Sequence, residues 1–173
     1  AEMGAAVTCR EVVQAITKLR AWSAAGMDGI LPEFILIAGR SRGNGEGNVG
    51  NDPPPVVSAL ALLFSEYMAT GITPSGWGTT SGFPIHKPEA GPPEDPMNYR
   101  ILSMTAVTSK VFEHVLLARL SAHAEASRDL CDTQFGFRKS MGCDHASYLL
   151  REIITARKTS GGRLTCVCFL DLR

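Results

Sequence analysis

Three stretches with helical apolar spacing, the first two separated by a segment crowded with glycine and proline, set the limits on this fold. Over 56–68, Val57, Leu60, Ala61, Phe64 and Met68 recur at three- and four-residue intervals, which puts them on one helical face. Val107, Val111, Phe112, Val115, Leu116 and Leu120 repeat the pattern over 106–126, and Ala146, Leu149, Leu150, Ile153 and Ile154 repeat it over 144–158. Apolar stripes of this kind need a common core to cover them. No internal repeat is present, so these are separate helices of one fold rather than units of an array.

Shorter elements precede, separate and follow them. Thr8-Cys-Arg-Glu11 has the form of a capping box, in which the Thr8 hydroxyl and the Glu11 carboxylate each accept an otherwise unpaired backbone amide. Val12, Ala15, Ile16 and Leu19 predict a helix from there, with Lys18 and Arg20 at the end that suits cations, and 25–29 ends it. Pro32 fits the first position of a second, short helix running to about residue 37. Residues 40–55, rich in Gly and Asn, read as a mobile inserted loop. Gly71 is a natural stop for the helix over 56–68. Residues 79–87 and 98–102 read as extended, joined by the Pro- and Gly-rich 88–96, and the apolar run 163–172 reads as a terminal strand covered on both faces.

Composition narrows the function classes. The formal net charge is zero, so any binding of a polyanion must come from local cations rather than a long-range field. No apolar run reaches the ~18 residues of a membrane span and no signal-peptide pattern opens the chain, so an intracellular setting, nucleus or cytoplasm rather than secreted, is expected. The five cysteines, Cys9, Cys131, Cys143, Cys166 and Cys168, are odd in number and read as small buried apolar residues rather than a disulfide framework. His86, His114, His123 and His145 lack the spacing of zinc ligands.

Three groups carry possible chemistry. Lys87 and Arg100 flank the Pro- and Gly-rich connection, and would project toward one anionic ligand if the two extended stretches pair; the plainer reading is two solvated surface cations on a loop. In Gln134-Phe-Gly-Phe-Arg138 a glycine between aromatics permits close backbone approach while Gln134 and Arg138 offer donors to a sugar-phosphate chain; the plainer reading is a turn whose phenylalanines anchor a loop. Asp171 follows an apolar strand-like run, where an unpaired buried carboxylate is costly and a metal ligand is a natural use; the plainer reading is a strand that exits to solvent there. Two-metal phosphoryl transfer needs several such oxygens around ions about 3.5–4 Å apart.

In chain order these segments resemble the N-terminal part of the reverse transcriptase of non-LTR (LINE-like) retrotransposons. The opening helix followed by Ala25-Gly-Met-Asp-Gly-Ile30 is similar to a "K-x-P/A-G-x-D-G-I" signature, and Trp77 with Phe83-Pro-Ile-His-Lys87 to the stretch ending in a fingers lysine. Asn98-Tyr-Arg-Ile-Leu-Ser103 resembles "N-Y-R-P-I-S", Ser109-Lys-Val-Phe-Glu113 with Ala118-Arg-Leu120 resembles the helix after it, Gln134-Phe-Gly-Phe-Arg138 matches the next block, and Val167-Cys-Phe-Leu-Asp-Leu172 resembles the first catalytic motif.

The resemblance implies a mixed α/β fold of the helix-rich α+β kind: the fingers and the start of the palm of a right-hand polymerase. It divides the chain into N-terminal extension helices (1–39), an inserted loop (40–55), a fingers region (56–162) and a first palm strand (163–173). Lys87 and Arg100 would contact the nucleotide triphosphate. Gln134, Phe135, Gly136 and Arg138 would support the template, and Asp171 would be the first catalytic residue and magnesium ligand. The implied partners are an RNA template, a DNA primer, deoxynucleotide triphosphates and the remainder of the polymerase chain, with no membrane. Ser23 stands in place of the signature lysine, Ile101 in place of the proline after the motif arginine, residues 40–55 have the character of an insertion, and no paired aspartates occur in the 173 residues. A truncated polymerase, inactive alone, is therefore expected; the alternative is a catalytically dead remnant that binds RNA or has no function.

Overall fold

Thr8 and Glu11 form the expected capping box: the Glu11 amide donates to Thr8 Oγ1 at 3.3 Å and the Thr8 amide to Glu11 Oε2 at 2.9 Å. They open α1 (Cys9–Ile16) in a computed structural model that describes residues 3–40, 53–88, 91–161 and 164–170. Two compact units, 1–123 and 124–173, make up the chain.

In the first unit α1 stops at Ile16, four residues short of Arg20. Lys18 and Leu19 donate to Ala15 and Ile16, three residues back, which tightens the last turn and ends the helix while leaving Leu19 buried. Pro32 starts α2 (Pro32–Ala38) as expected. Prolines 54 and 55, read from the sequence as loop, instead cap and begin α3 (Pro55–Thr70), because a first-turn residue needs no amide hydrogen. Gly71 closes α3 in the left-handed conformation at φ 70°, donating to the Tyr67 carbonyl at 2.9 Å. The rest of the expected inserted loop, 41–52, lies outside the described residues.

Strands β1 (Ser81–His86) and β2 (Tyr99–Met104) pair antiparallel, with Phe83 opposite Leu102 and Ile85 opposite Arg100. Helix α4 (Val107–Ser127) follows. Val12, Ala15 and Ile16 of α1, Ile35 of α2, Val57, Leu60 and Phe64 of α3 and Val107, Val111 and Val115 of α4 form one core. Phe64, Tyr67, Trp77 and Phe112 add an aromatic cluster whose ring centroids lie 5.1–6.4 Å apart, the range in which ring quadrupoles favour tilted and edge contacts. Two backbones meet closely at Gly26: a side-chain carbon there would lie 2.6 Å from the Thr105 carbonyl oxygen.

One helical position of the first unit departs from the pattern. Leu120 faces solvent and its neighbour Arg119 is 5% exposed. The guanidinium takes the inward place because five acceptors surround it: both Glu11 carboxylate oxygens and the carbonyls of Met3, Ala5 and Ala6.

The second unit holds α5 (Cys143–Thr159), begun after Gly142 and closed by Arg157 and Lys158 in its last turn. Its expected inner face is not buried: Ala146, Leu150 and Ile154 are half-covered, while Leu149 and Ile153 are exposed. Residues 164–170 form no strand, and Phe169 and Leu170 are exposed. A strand requires a ladder partner for its amides and carbonyls, and these residues pair with none among the described residues. The cysteines follow suit: Cys131, Cys143, Cys166 and Cys168 are exposed and Cys9 is half-buried, where small buried residues were expected.

Candidate functional site

The β1–β2 hairpin is the first candidate. Side chains alternate between the faces of a strand, so the register decides which residues meet. The Lys87 amide donates to the Asn98 carbonyl at 2.8 Å, extending the ladder one pair past His86 and Tyr99. Lys87 and Arg100 therefore share a face as diagonal neighbours, with backbones about 7–8 Å apart, within reach of two long cationic side chains. That face continues into Phe83, Ile85 and Leu102, all about half exposed. An apolar floor thus ends in two cations.

The connection beyond these cations is tied down by its own side chains. Asn98 Nδ2 donates to the Pro92 carbonyl and Tyr99 Oη to the Pro93 carbonyl, each at 2.9 Å, and Asp95 caps the Met97 amide at 2.9 Å. His86 Nε2 donates to the Gly91 carbonyl at 3.2 Å while its ring meets Tyr99 edge-on. Lys87 Nζ donates to the Met97 carbonyl at 2.9 Å. Arg100 is exposed, with no ion pair among the described residues.

The second candidate, 134–138, lies in the other unit. Its Arg138 is engaged within that unit: Nε and Nη2 donate to the Glu125 carboxylate at 3.0 and 2.9 Å, and Nη1 to the Cys131 carbonyl at 3.0 Å. This planar fork neutralises the cation and holds Glu125 below its usual carboxylate range. Gln134 is exposed and donates weakly, at 3.5 Å, to the Gly136 carbonyl. Phe135 is half-buried, whereas Phe137 is fully exposed at φ 60°. Sequence reading did not single out Phe137, because two phenylalanines flanking one glycine carry no mark of which faces outward. A cavity of about 360 Å³ lies behind the ion pair, walled by Arg128, Asp132, Glu125 and Arg138. Its charges are of both signs, so it favours neither anion nor cation.

Asp171 lies outside the described residues, and among the described residues no three His, Cys, Asp or Glu side chains converge as metal ligands. The described residues therefore do not form a site for the magnesium that the resemblance implies. None of the described helices is long and apolar enough to cross a membrane.

Against this geometry stand the relatives. The chain is 27% identical over 133 residues, 77% of its length, to a protein of Drosophila melanogaster described as a probable RNA-directed DNA polymerase from transposon BS. It is 33% identical over 123 residues, 70% of its length, to the probable RNA-directed DNA polymerase from transposon X-element of the same organism. In each case the match spans 13% of the longer relative. No protein-family profile matches the chain.

Proposed function

Because this chain is partially homologous to the RNA-directed DNA polymerases of non-LTR transposons, we propose that it is the nucleotide- and template-gripping portion of such a reverse transcriptase. The observation that carries the reading is the pairing of Lys87 and Arg100 on one face of the hairpin, beside the apolar floor of Phe83, Ile85 and Leu102. A deoxynucleotide triphosphate has matching chemistry: an anionic tail for the cations and a flat, weakly polar base for the floor. Lys87 takes part by exchanging the Met97 carbonyl for a phosphate oxygen, a charged acceptor that binds an ammonium more strongly. Arg100 has no ion pair among the described residues to break before it presents its fork.

In this reading the loop 134–138 supports the template strand, and Asp171 supplies one metal ligand of the complete domain, where magnesium serves the phosphoryl transfer. The fragment lies within the fingers and reaches the first palm residues. Substrates of the parent reaction are an RNA template, a primer hydroxyl and deoxynucleotide triphosphates.

Calorimetric titration of the 173-residue chain with a deoxynucleotide triphosphate tests the grip. Binding is expected to fall about tenfold in Arg100→Ala and in Lys87→Ala, as for loss of a charge-assisted contact of ~1.5 kcal/mol or more. The matching deoxynucleoside, which lacks phosphates, should bind far more weakly and equally to all three proteins. Variants that bind the triphosphate as wild type does would overturn the assignment of these cations. Primer extension by the chain alone is expected to be absent, and template-dependent extension would show that no further carboxylates are needed.

A further inference from the structure

Phe137 combines two costs that a loop residue normally avoids. Its side chain is 109% exposed, so it gains nothing from burial, and its φ of 60° lies in the left-handed region that bulky residues rarely adopt. The surrounding loop fixes that conformation from both sides. The Gln134 amide donates to the Cys131 carbonyl at 2.9 Å, Arg138 grips Glu125 and the same carbonyl, and the Met141 amide donates to the Arg138 carbonyl at 3.3 Å. The result is an aromatic ring held out on a braced support, followed by the exposed cation of Lys139.

Trp22 shows the same pairing of exposure and positive φ, but in a different electrostatic setting. Its own amide donates to the Glu33 carboxylate, which places a negative charge beside it. A polyanion is repelled there. At Phe137 the neighbouring cation Arg138 is neutralised and Lys139 adds positive charge, and the second unit as a whole carries eight Lys and Arg against six Asp and Glu.

The geometry points to Phe137 as a stacking platform for one base of a single-stranded nucleic acid, with Lys139 meeting the adjoining phosphate. This rests on the reading that the chain engages nucleic acid, and it assigns the contact to the residue of 134–138 that is most exposed. Stacking on a ring face tolerates any base, so the site takes single strands without regard to sequence.

The test titrates the 173-residue chain at low salt with a fluorescein-labelled oligothymidylate of about ten nucleotides and with an abasic strand of equal length and charge. Phe137→Leu, which keeps apolar bulk without a ring, should weaken the oligothymidylate about tenfold and leave the abasic strand unaffected, whereas Phe137→Trp should keep wild-type affinity. Equal affinity of Phe137→Leu and wild type for oligothymidylate would overturn the platform while leaving nucleic-acid binding intact. Equal weakening toward both strands would also overturn it, because Phe137 would then serve the loop. Absence of wild-type binding to either strand would remove both this inference and the reading beneath it. If dimers seen in sedimentation vanish in Phe137→Leu while oligothymidylate affinity is kept, the ring meets a second copy and the platform is overturned. Where Phe137→Leu loses its fold, Phe137→Trp decides: its added emission should be quenched by the oligothymidylate and not by the abasic strand, and equal quenching would refute stacking.

Discussion

Arg119 grips Glu11 with two parallel bonds, Nε to Oε1 at 2.7 Å and Nη2 to Oε2 at 3.0 Å, although 108 positions separate them. The same guanidinium donates to the carbonyls of Met3, Ala5 and Ala6, at 3.2, 2.6 and 3.1 Å, tying the segment before α1 to α4. Removing Glu11 strands a buried cation, so Glu11→Ala should cost about 3–5 kcal/mol. Arg119→Lys should recover little, because an ammonium cannot reproduce a planar fork to five acceptors. Urea denaturation followed by circular dichroism measures both, and a loss under about 1 kcal/mol would show that the pair is solvated.

Acid should loosen the same contact. The Arg119 hydrogen bonds lower the Glu11 pKa from 4.5 to about 2, against the opposing effect of burial. A depressed carboxylate contributes stability that is complete above its unfolded value and is lost as pH falls through the folded one. Wild type should therefore lose stability between about pH 5 and about pH 2, while Glu11→Gln starts lower and shows a shallower acid slope. Urea midpoints across this range compare the two, and parallel slopes would assign the acid sensitivity elsewhere.

Gly26 is predicted to tolerate no side chain. An added carbon would lie 2.6 Å from the Thr105 carbonyl oxygen and 2.7 Å from the Ala106 amide nitrogen, both backbone atoms that cannot rotate away. Gly26→Ala should destabilise by about 1–3 kcal/mol through forced separation of the two segments. Gly29 makes a useful contrast: its φ of 68° disfavours any side chain, but the space around it is open, so Gly29→Asn should be milder. Equal thermal melts for Gly26→Ala and wild type would contradict the close approach.

What could be read in the sequence was local. The Thr8–Glu11 capping box, Pro32 at a helix start and Gly71 at a helix end each depend on residues a few positions apart. Burial was legible for the helices of the first unit. Apolar spacing placed Val107, Val111 and Val115 inside, but it put Leu120 there too, because spacing cannot register a cluster of acceptors that draws Arg119 inward. The inner face of α5 and the run 164–170 have the pattern of buried elements but are half-covered or exposed among the described residues. For the candidate sites, the strand pairing that the sequence left as a condition puts Lys87 and Arg100 on one face, whereas the outward turn of Phe137 depends on a left-handed backbone angle that residue type and spacing do not reveal.

That backbone angle has a consequence for stability that runs opposite to ordinary core behaviour. A non-glycine residue in the left-handed region costs about 1–2 kcal/mol, and the fully exposed ring of Phe137 recovers none of it by packing. Phe137→Gly removes the strain but adds freedom to the unfolded chain, which offsets part of the gain. The expected net result is stabilisation by up to ~1 kcal/mol, seen as a higher urea midpoint at an unchanged denaturant slope. Phe135→Ala, at the half-buried position of the same loop, should go the other way by losing packing. A stability gain in Phe137→Gly together with loss of oligothymidylate binding would identify the ring as kept for contact with a ligand. A loss of stability there would mean that Phe137 packs against protein.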